Sequence, residues 1–339
     1  MKLLFIGGTG LISSACSDLA VQRGHDLFLL NRSTLQKHPA PREAKILTGD
    51  VHAGEEHLVQ LLANHKFDAV IDFIAFTEAD IERDLRLFRD RTPQFVFISS
   101  ASAYQKPPRH YIVTEQTPLE NPYWDYSSNK IACEERLTRA YSGEQFPVTI
   151  VRPSLTYGPS QIPLVVGSWS HPWTIPDRIL HGKPLIVPGD GTSLWVLTWN
   201  GDFARGLLGL LGKPEAIGQV YQITSDEVLT WDRIYLEVYR ALDAEPNILH
   251  LPAELIVGHW PSAVGSLIGD KIHSLVFDNS KIKRVVPEFR CDVDWAEGVR
   301  RSIGWHRSHP EFQTVDLDME RLLDQMVSAY KRALPVDGA

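Results

Sequence analysis

Leu3-Leu4-Phe5-Ile6-Gly7-Gly8-Thr9-Gly10-Leu11-Ile12-Ser13 runs from four apolar residues through a glycine-rich turn into a segment of helical spacing. The apolar run stops at Gly7, so it suits a short buried strand. A secretory leader needs a longer apolar run and a small-residue cleavage site. Glycines let a backbone turn tightly and approach a pyrophosphate, and a helix N-terminus offers N–H groups and partial positive charge. A glycine-rich heptad alone is a weak signal. Its place after one strand, at the start of a helix and ahead of a second strand, makes it strong. Gly7, Thr9, Gly10, Leu11 and Ile12 are therefore expected to contact a dinucleotide.

Strands are predicted at Leu3–Ile6, Asp26–Leu30, Ala44–Leu47, Ala69–Phe73, Phe95–Ile98 and Val148–Val151. Helices are predicted at Leu11–Arg23, Glu55–His65, Glu78–Arg91 and around Asn129–Tyr141. Near-continuous apolar strands alternating with helices imply a parallel sheet covered on both faces. After Pro153 the pattern changes. Residues 159–191 are rich in proline, glycine and tryptophan and read as a long packed loop with short elements. Further helices are expected at Trp231–Leu242, with Thr230 as N-cap, and at Leu317–Leu334.

The second strand ends in Asn31-Arg32-Ser33, where an acidic residue would bind the ribose hydroxyls of NAD. A guanidinium beside a hydroxyl suits a ribose 2′-phosphate instead, which favours NADP, with NAD as the alternative. Asp50 and Val51, after the third strand, are expected to flank the adenine. No Cys-x-x-Cys or His-Glu-x-x-His pattern is present, and no metal is expected.

Tyr126 and Lys130 stand four apart in Tyr-Ser-Ser-Asn-Lys and share a helix face. The ammonium is expected to lower the tyrosine pKa and hold a nicotinamide ribose, making the phenol a usable acid/base. Ser100, at a strand end, is placed to orient a substrate oxygen.

These motifs resemble those of the extended short-chain dehydrogenase/reductases of the NAD-dependent epimerase/dehydratase type. The matching stretches are 7–13, Asp72-Phe73-Ile74-Ala75, Ser99-Ser100-Ala101-Ser102-Ala103-Tyr104, Tyr126–Lys130 and Arg152-Pro153-Ser154-Leu155-Thr156-Tyr157-Gly158-Pro159. Gly189-Asp190-Gly191 and Phe277-Asp278-Asn279-Ser280-Lys281 also resemble that family's C-terminal lobe. The resemblance implies a doubly wound parallel (Rossmann) sheet with a smaller α/β C-terminal substrate lobe. It makes Ser100, Tyr126 and Lys130 the catalytic trio. Lys130, Phe73, Ala75 and Pro153 become cofactor contacts. The division expected is 1–165, joined by about 192–224, for the dinucleotide domain, and 166–191 with 225–339 for the substrate lobe.

Three departures from that family pattern matter. Ser13 replaces the third glycine of the fingerprint, and its hydroxyl is a candidate phosphate ligand. Ala101-Ser102 stands where sugar dehydratases of the family carry an Asp-Glu pair. Thr192-Ser193-Leu194-Trp195 follows the Gly-Asp-Gly turn, where nucleotide-sugar members carry a diphosphate-clamping arginine. The expected activity is hydride transfer at a hydroxyl-bearing carbon of a sugar or polyol-like substrate, by an oxidoreductase or epimerase that is not a 4,6-dehydratase. Ser102, Trp169 and Trp195 are its candidate substrate contacts, because indole faces stack on sugar C–H faces.

Bulk properties fit this reading. The 43% apolar content allows a sizeable core. No apolar run is long enough to span a bilayer, so no membrane partner is expected. The net charge of −8 opposes nucleic-acid binding, which needs clustered positive charge. Three distant cysteines suit a reducing cytoplasm. The competing class is a non-catalytic dinucleotide sensor or RNA-binding protein of the same fold. The intact Ser100/Tyr126/Lys130 set and the charge speak against it. A homodimer is left open.

Overall fold

The computed structural model describes residues 1–32 and 38–334, so Ser33 lies outside the described residues. Seven parallel strands form the central sheet. They are β1 (Lys2–Ile6), β2 (Asp26–Asn31), β3 (Lys45–Thr48), β4 (Ala69–Asp72), β5 (Phe95–Ile98), β6 (Val148–Pro153) and β7 (Gln219–Ile223). Their order is β7-β6-β5-β4-β1-β2-β3. The order reverses at β1, which opens a crevice at the carboxyl ends of β1 and β4.

Strand side chains alternate between two cores. Leu3, Phe5, Leu29, Ile71 and Val96 pack with Cys16 and Ala20 of α1 (Ser13–Gln22) and with Phe203 and Leu207 of the helix Asn200–Leu210. Leu4, Ile6, Leu30, Val70 and Phe97 face the opposite way. There they meet Leu58 of α2 (Glu55–Leu62), Ile81 and Leu85 of α3 (Glu78–Phe88), and Cys133 and Leu137 of α4 (Asp125–Glu144). Burial pushes the Cys133 thiol up to about 12, so it is an inert core group. Ile282, Val286 and Phe289, late in the chain, also join the α1 side of the sheet.

Beyond the strand ends, a third core gathers Tyr157, Trp195, Trp231, Tyr235, Trp295 and Leu323. The 159–191 segment belongs to it. It contains the helix Thr174–Leu180 and the strand Leu185–Pro188, which pairs in parallel with Ile248–Leu251. Thr230 caps Trp231–Ala241 by accepting from Arg233 N at 3.2 Å. Among the described residues, no helix is long and apolar enough to cross a membrane.

Candidate functional site

The glycine turn leaves β1 with Gly7 at φ +80°, a backbone state that favours glycine. A Cβ at Gly7 would stand 2.5 Å from Ile74 Cγ2. Ser13, considered from sequence as a phosphate ligand, is otherwise engaged. Its hydroxyl donates to Gly7 O at 2.6 Å and accepts from Gly10 N at 2.8 Å. It staples the turn, because the loop's own carbonyl and amide lie within its reach. No acidic residue occupies the first turn of α1, which leaves that helix end suited to an anion.

A cavity of about 350 Å³ opens beside this turn, lined by Gly7, Thr9, Gly10, Asn31, Arg32, Asp50 and Val51, with Ile74 and Phe76 opposite. The residues fit a dinucleotide: a bare-backbone turn at a helix N-terminus continues into a cleft with one guanidinium. Leu11, Phe73 and Ala75, also expected here, do not line this cleft. The Leu11 carbonyl accepts from Asn200 Nδ2 at 2.8 Å, and Phe73 packs edge-on to Phe5, 5.5 Å between ring centres. Ala75 is buried, and the neighbouring Ile74 and Phe76 form the wall.

A buried ionic cluster holds that wall. Asp72 Oδ1 accepts from Ile74 N at 2.6 Å and Ala75 N at 2.8 Å. Arg83 of α3 reaches Asp84 at 2.8 Å, Asp80 at 3.0 Å and Asp72 at 3.4 Å. Burial and the adjacent Asp72 raise the Asp84 carboxyl well above the usual range, against the pull of Arg83. The helix predicted at Glu78–Arg91 gave no sign of a buried role for Arg83 beyond an arginine between acids on the helix's apolar side.

Ser100, Tyr126 and Lys130 converge at the carboxyl end of β5. Ser100 follows that strand, and α4 supplies the other two one turn apart. Lys130 is 1% exposed, and its Nζ donates to Ala75 O at 2.6 Å and Ile98 O at 2.8 Å. Burial lowers its pKa to about 8. Tyr126 differs from the sequence expectation of a lowered pKa. Burial raises it, and a hydrogen bond with Ser100 pulls it partly back. Desolvation of the phenolate, with a smaller push from the Asp270 carboxylate, sets this direction, while the Lys130 Nζ stands 5.9 Å from the Tyr126 ring centre.

Ser100 Oγ also lies 2.9 Å from Ser102 Oγ, which accepts from Ser127 Oγ at 2.8 Å. Ser99 donates to Glu134 at 2.5 Å, and Glu134 is paired with Arg152 of β6. The strand end carrying Ser100 is thus fixed to α4 by buried charge-assisted bonds.

A second cavity of about 670 Å³ begins at Ile12, Ser100, Tyr126 and Pro153 and extends into the third core. Ser102, Trp169 and Trp195 line it, joined by Trp124 and Trp260, which sequence reading had not singled out. Trp195 is 2% exposed and Trp169 56% exposed, so one is wall and the other rim. Trp173 and Trp199 are buried and lie outside this lining.

The sequence model of the NAD dependent epimerase/dehydratase family matches residues 3–224. The chain belongs to that family. Among its relatives, UDP-N-acetyl-alpha-D-glucosaminuronate decarboxylase of Bacillus cytotoxicus is 23% identical over 337 residues, covering 90% of this chain and 98% of the relative. An uncharacterised UDP-glucose epimerase of Bacillus subtilis is 31% identical over 258 residues, covering 67% of this chain and 78% of the relative. UDP-glucose 4-epimerase of Thermus thermophilus, solved in complex with NAD, superposes with a TM-score of 0.72 at 20% identity. That match covers 91% of this chain and 99% of the epimerase. As a member of the epimerase/dehydratase family, the protein is a nicotinamide-dinucleotide-dependent enzyme on a Rossmann fold.

Proposed function

We propose that the protein is an oxidoreductase or epimerase that moves hydride at a hydroxyl-bearing carbon of a sugar or polyol-like substrate, with Tyr126 as its acid/base. One observation carries this reading. Tyr126 and Ser100 stand on the wall of the large cavity where Ile12 and Pro153 join it to the dinucleotide side. A group placed there touches both halves of the reaction.

The nicotinamide ring, when bound, accepts or supplies the hydride. In the reductive direction the Tyr126 phenol gives its proton to the carbonyl oxygen; in the oxidative direction its phenolate form takes the proton from the substrate hydroxyl. Ser100 hydrogen-bonds the same oxygen and Tyr126. Lys130 holds α4 against the turn at Ala75 and keeps a positive charge beside the phenol. Gly7, Thr9, Gly10, Ile12, Asn31, Arg32, Asp50 and Val51 would hold the dinucleotide. The Arg32 guanidinium supports NADP over NAD, since its fork matches a 2′-phosphate. Trp195 and Trp124 offer faces for a sugar's apolar side. The three unpaired cysteines support a reducing cytoplasm.

The test is turnover of NADPH or NADH against a panel of hexoses, polyols and their keto forms, with Tyr126→Phe beside the unmodified protein. The variant should keep cofactor affinity and lose roughly 10²–10⁴ in rate. Activity within about tenfold of the unmodified protein would remove Tyr126 from the mechanism.

A further inference from the structure

The large cavity has an electrostatic feature that the hydride-transfer reading leaves unused. Among the described residues, Lys271 is the one lysine or arginine on its wall. It ends a single turn of π-helix, Leu267–Lys271, a rare form concentrated at functional sites. Two side chains hold that turn. Asn121 Nδ2 donates to Gly269 O at 2.7 Å and to Ser102 O at 2.9 Å. Trp231 Nε1 donates to Lys271 O at 2.8 Å. Gly269 lies so close to Tyr123 that an added Cβ would stand 2.8 Å away. One amide therefore ties the Lys271 turn to the Ser100–Ser102 turn, fixing the distance between them.

The charges near Lys271 do not cancel. Asp270 meets Lys271 Nζ at 3.2 Å through one oxygen and buried Lys106 Nζ at 3.2 Å through the other. Two ammonium groups share one carboxylate. Asp316, the other acid on the cavity wall, is used by Ser168 Oγ at 2.7 Å and by its own helix start at Met319 N, 3.0 Å. The aromatic faces favour no cationic ligand, because the Lys271 ammonium already lies over Trp124 at 5.5 Å and Trp195 at 5.7 Å.

We propose that Lys271 is a specificity residue that anchors an anionic group of the substrate, a carboxylate or a phosphate ester, while the reacting hydroxyl lies at Tyr126. This rests on the large cavity being the substrate site of the proposed reaction. The substrate class is then an acidic sugar.

The test reads binding by intrinsic tryptophan fluorescence, without turnover. Methyl hexuronides of gluco, galacto and manno configuration are titrated beside the matching methyl hexosides and hexose 6-phosphates, with NADP⁺ present. At least one acidic series should bind about tenfold more tightly than its neutral counterpart. The hexuronide and 6-phosphate arms tell the two anion sources apart. Lys271→Met should erase the preference, and Lys271→Arg should keep it. A melting curve checks that both variants fold. Equal binding of acidic and neutral sugars, a preference that survives Lys271→Met, or no binding by any acidic sugar overturns the inference. A Lys271-dependent preference without turnover sinks the proposed function and spares this inference. Turnover of neutral sugars without the preference does the reverse.

Discussion

The Lys130 ammonium donates to the Ala75 carbonyl at 2.6 Å, joining the helix that carries Tyr126 to the turn that walls the cofactor cleft. A second bond, to Ile98 O at 2.8 Å, leaves the third ammonium donor for a ligand. Burial lowers this lysine to about 8, so it is charged below that pH and neutral above it. Tyr126 is pushed the other way and keeps its proton through the same range. The reductive rate should therefore be flat below about pH 8 and fall above it as Lys130 loses its charge. Lys130→Arg, which stays charged, should move the falling limb upward. A limb near pH 8 that persists in a folded Lys130→Arg protein would assign it to another group.

Gly7→Ala places a Cβ 2.5 Å from Ile74 at a φ of +80°. The turn must shift, at a cost of about 1–3 kcal/mol. Its carbonyl would leave the Ser13 hydroxyl, and the cleft would lose its shape. Dinucleotide affinity should fall more than tenfold on a fluorescence titration, a change of about 1.4 kcal/mol. Ser13→Ala removes the staple without the clash and should cost about 1 kcal/mol in thermal stability. Undiminished dinucleotide binding by Gly7→Ala would separate the turn from the cofactor.

Arg32 lines the cleft with Asn31 and Asp50. A 2′-phosphate there gains charge-assisted hydrogen bonds, about 1.5–3 kcal/mol. NADPH should bind roughly tenfold or more tightly than NADH. Arg32→Asp should reverse the order, since a carboxylate repels the phosphate and accepts from ribose hydroxyls. Equal affinities in the unmodified protein would refute the role given to Arg32.

Much of the sheet was legible because buried parallel strands need apolar runs. Phe95-Val96-Phe97-Ile98 forms the strand foreseen, to the residue. The edge strand Gln219–Ile223 was not singled out, because two glutamines interrupt its apolar run: Gln219 is exposed at the sheet margin, whereas Gln222 is buried and satisfied by Tyr104 and the Val113 and Asp278 carbonyls. The helix with Tyr126 begins at Asp125, four residues before its apolar spacing becomes visible, and no side chain caps it. The buried Arg83 cluster and the Lys271 turn stayed hidden for a different reason. A charge on a helix reads as solvated until distant strands and loops cover it, and only tertiary packing decides that. The Ser13 hydroxyl was seen but misdirected, since its choice between loop and ligand depends on ångström-scale geometry.

The protein should not catalyse 4,6-dehydration of a nucleotide sugar. Removing water from a hexose requires one group to take the C5 proton and another to protonate the departing hydroxyl. Ala101 can do neither. Ser102 is buried, and its hydroxyl is held between Ser100 Oγ at 2.9 Å and Ser127 Oγ at 2.8 Å. A hydroxyl so held lacks both the charge and the pKa of a general acid. The wall adds a second obstacle. Trp195 occupies the stretch where the family resemblance calls for a diphosphate-clamping arginine, and Lys271 is the only lysine or arginine lining the cavity among the described residues. One ammonium shared with Asp270 is a weak match for a diphosphate, whose bidentate arginine contacts are among the strongest available. Incubation with dTDP-, UDP- and GDP-hexoses, followed by mass spectrometry, should therefore show no loss of water. Introducing Ala101→Asp with Ser102→Glu should not restore dehydration by itself, because the diphosphate anchor would still be missing. A 4-keto-6-deoxy product formed at catalytic rates by the unmodified protein would mean that proton transfer runs through groups other than residues 100–102.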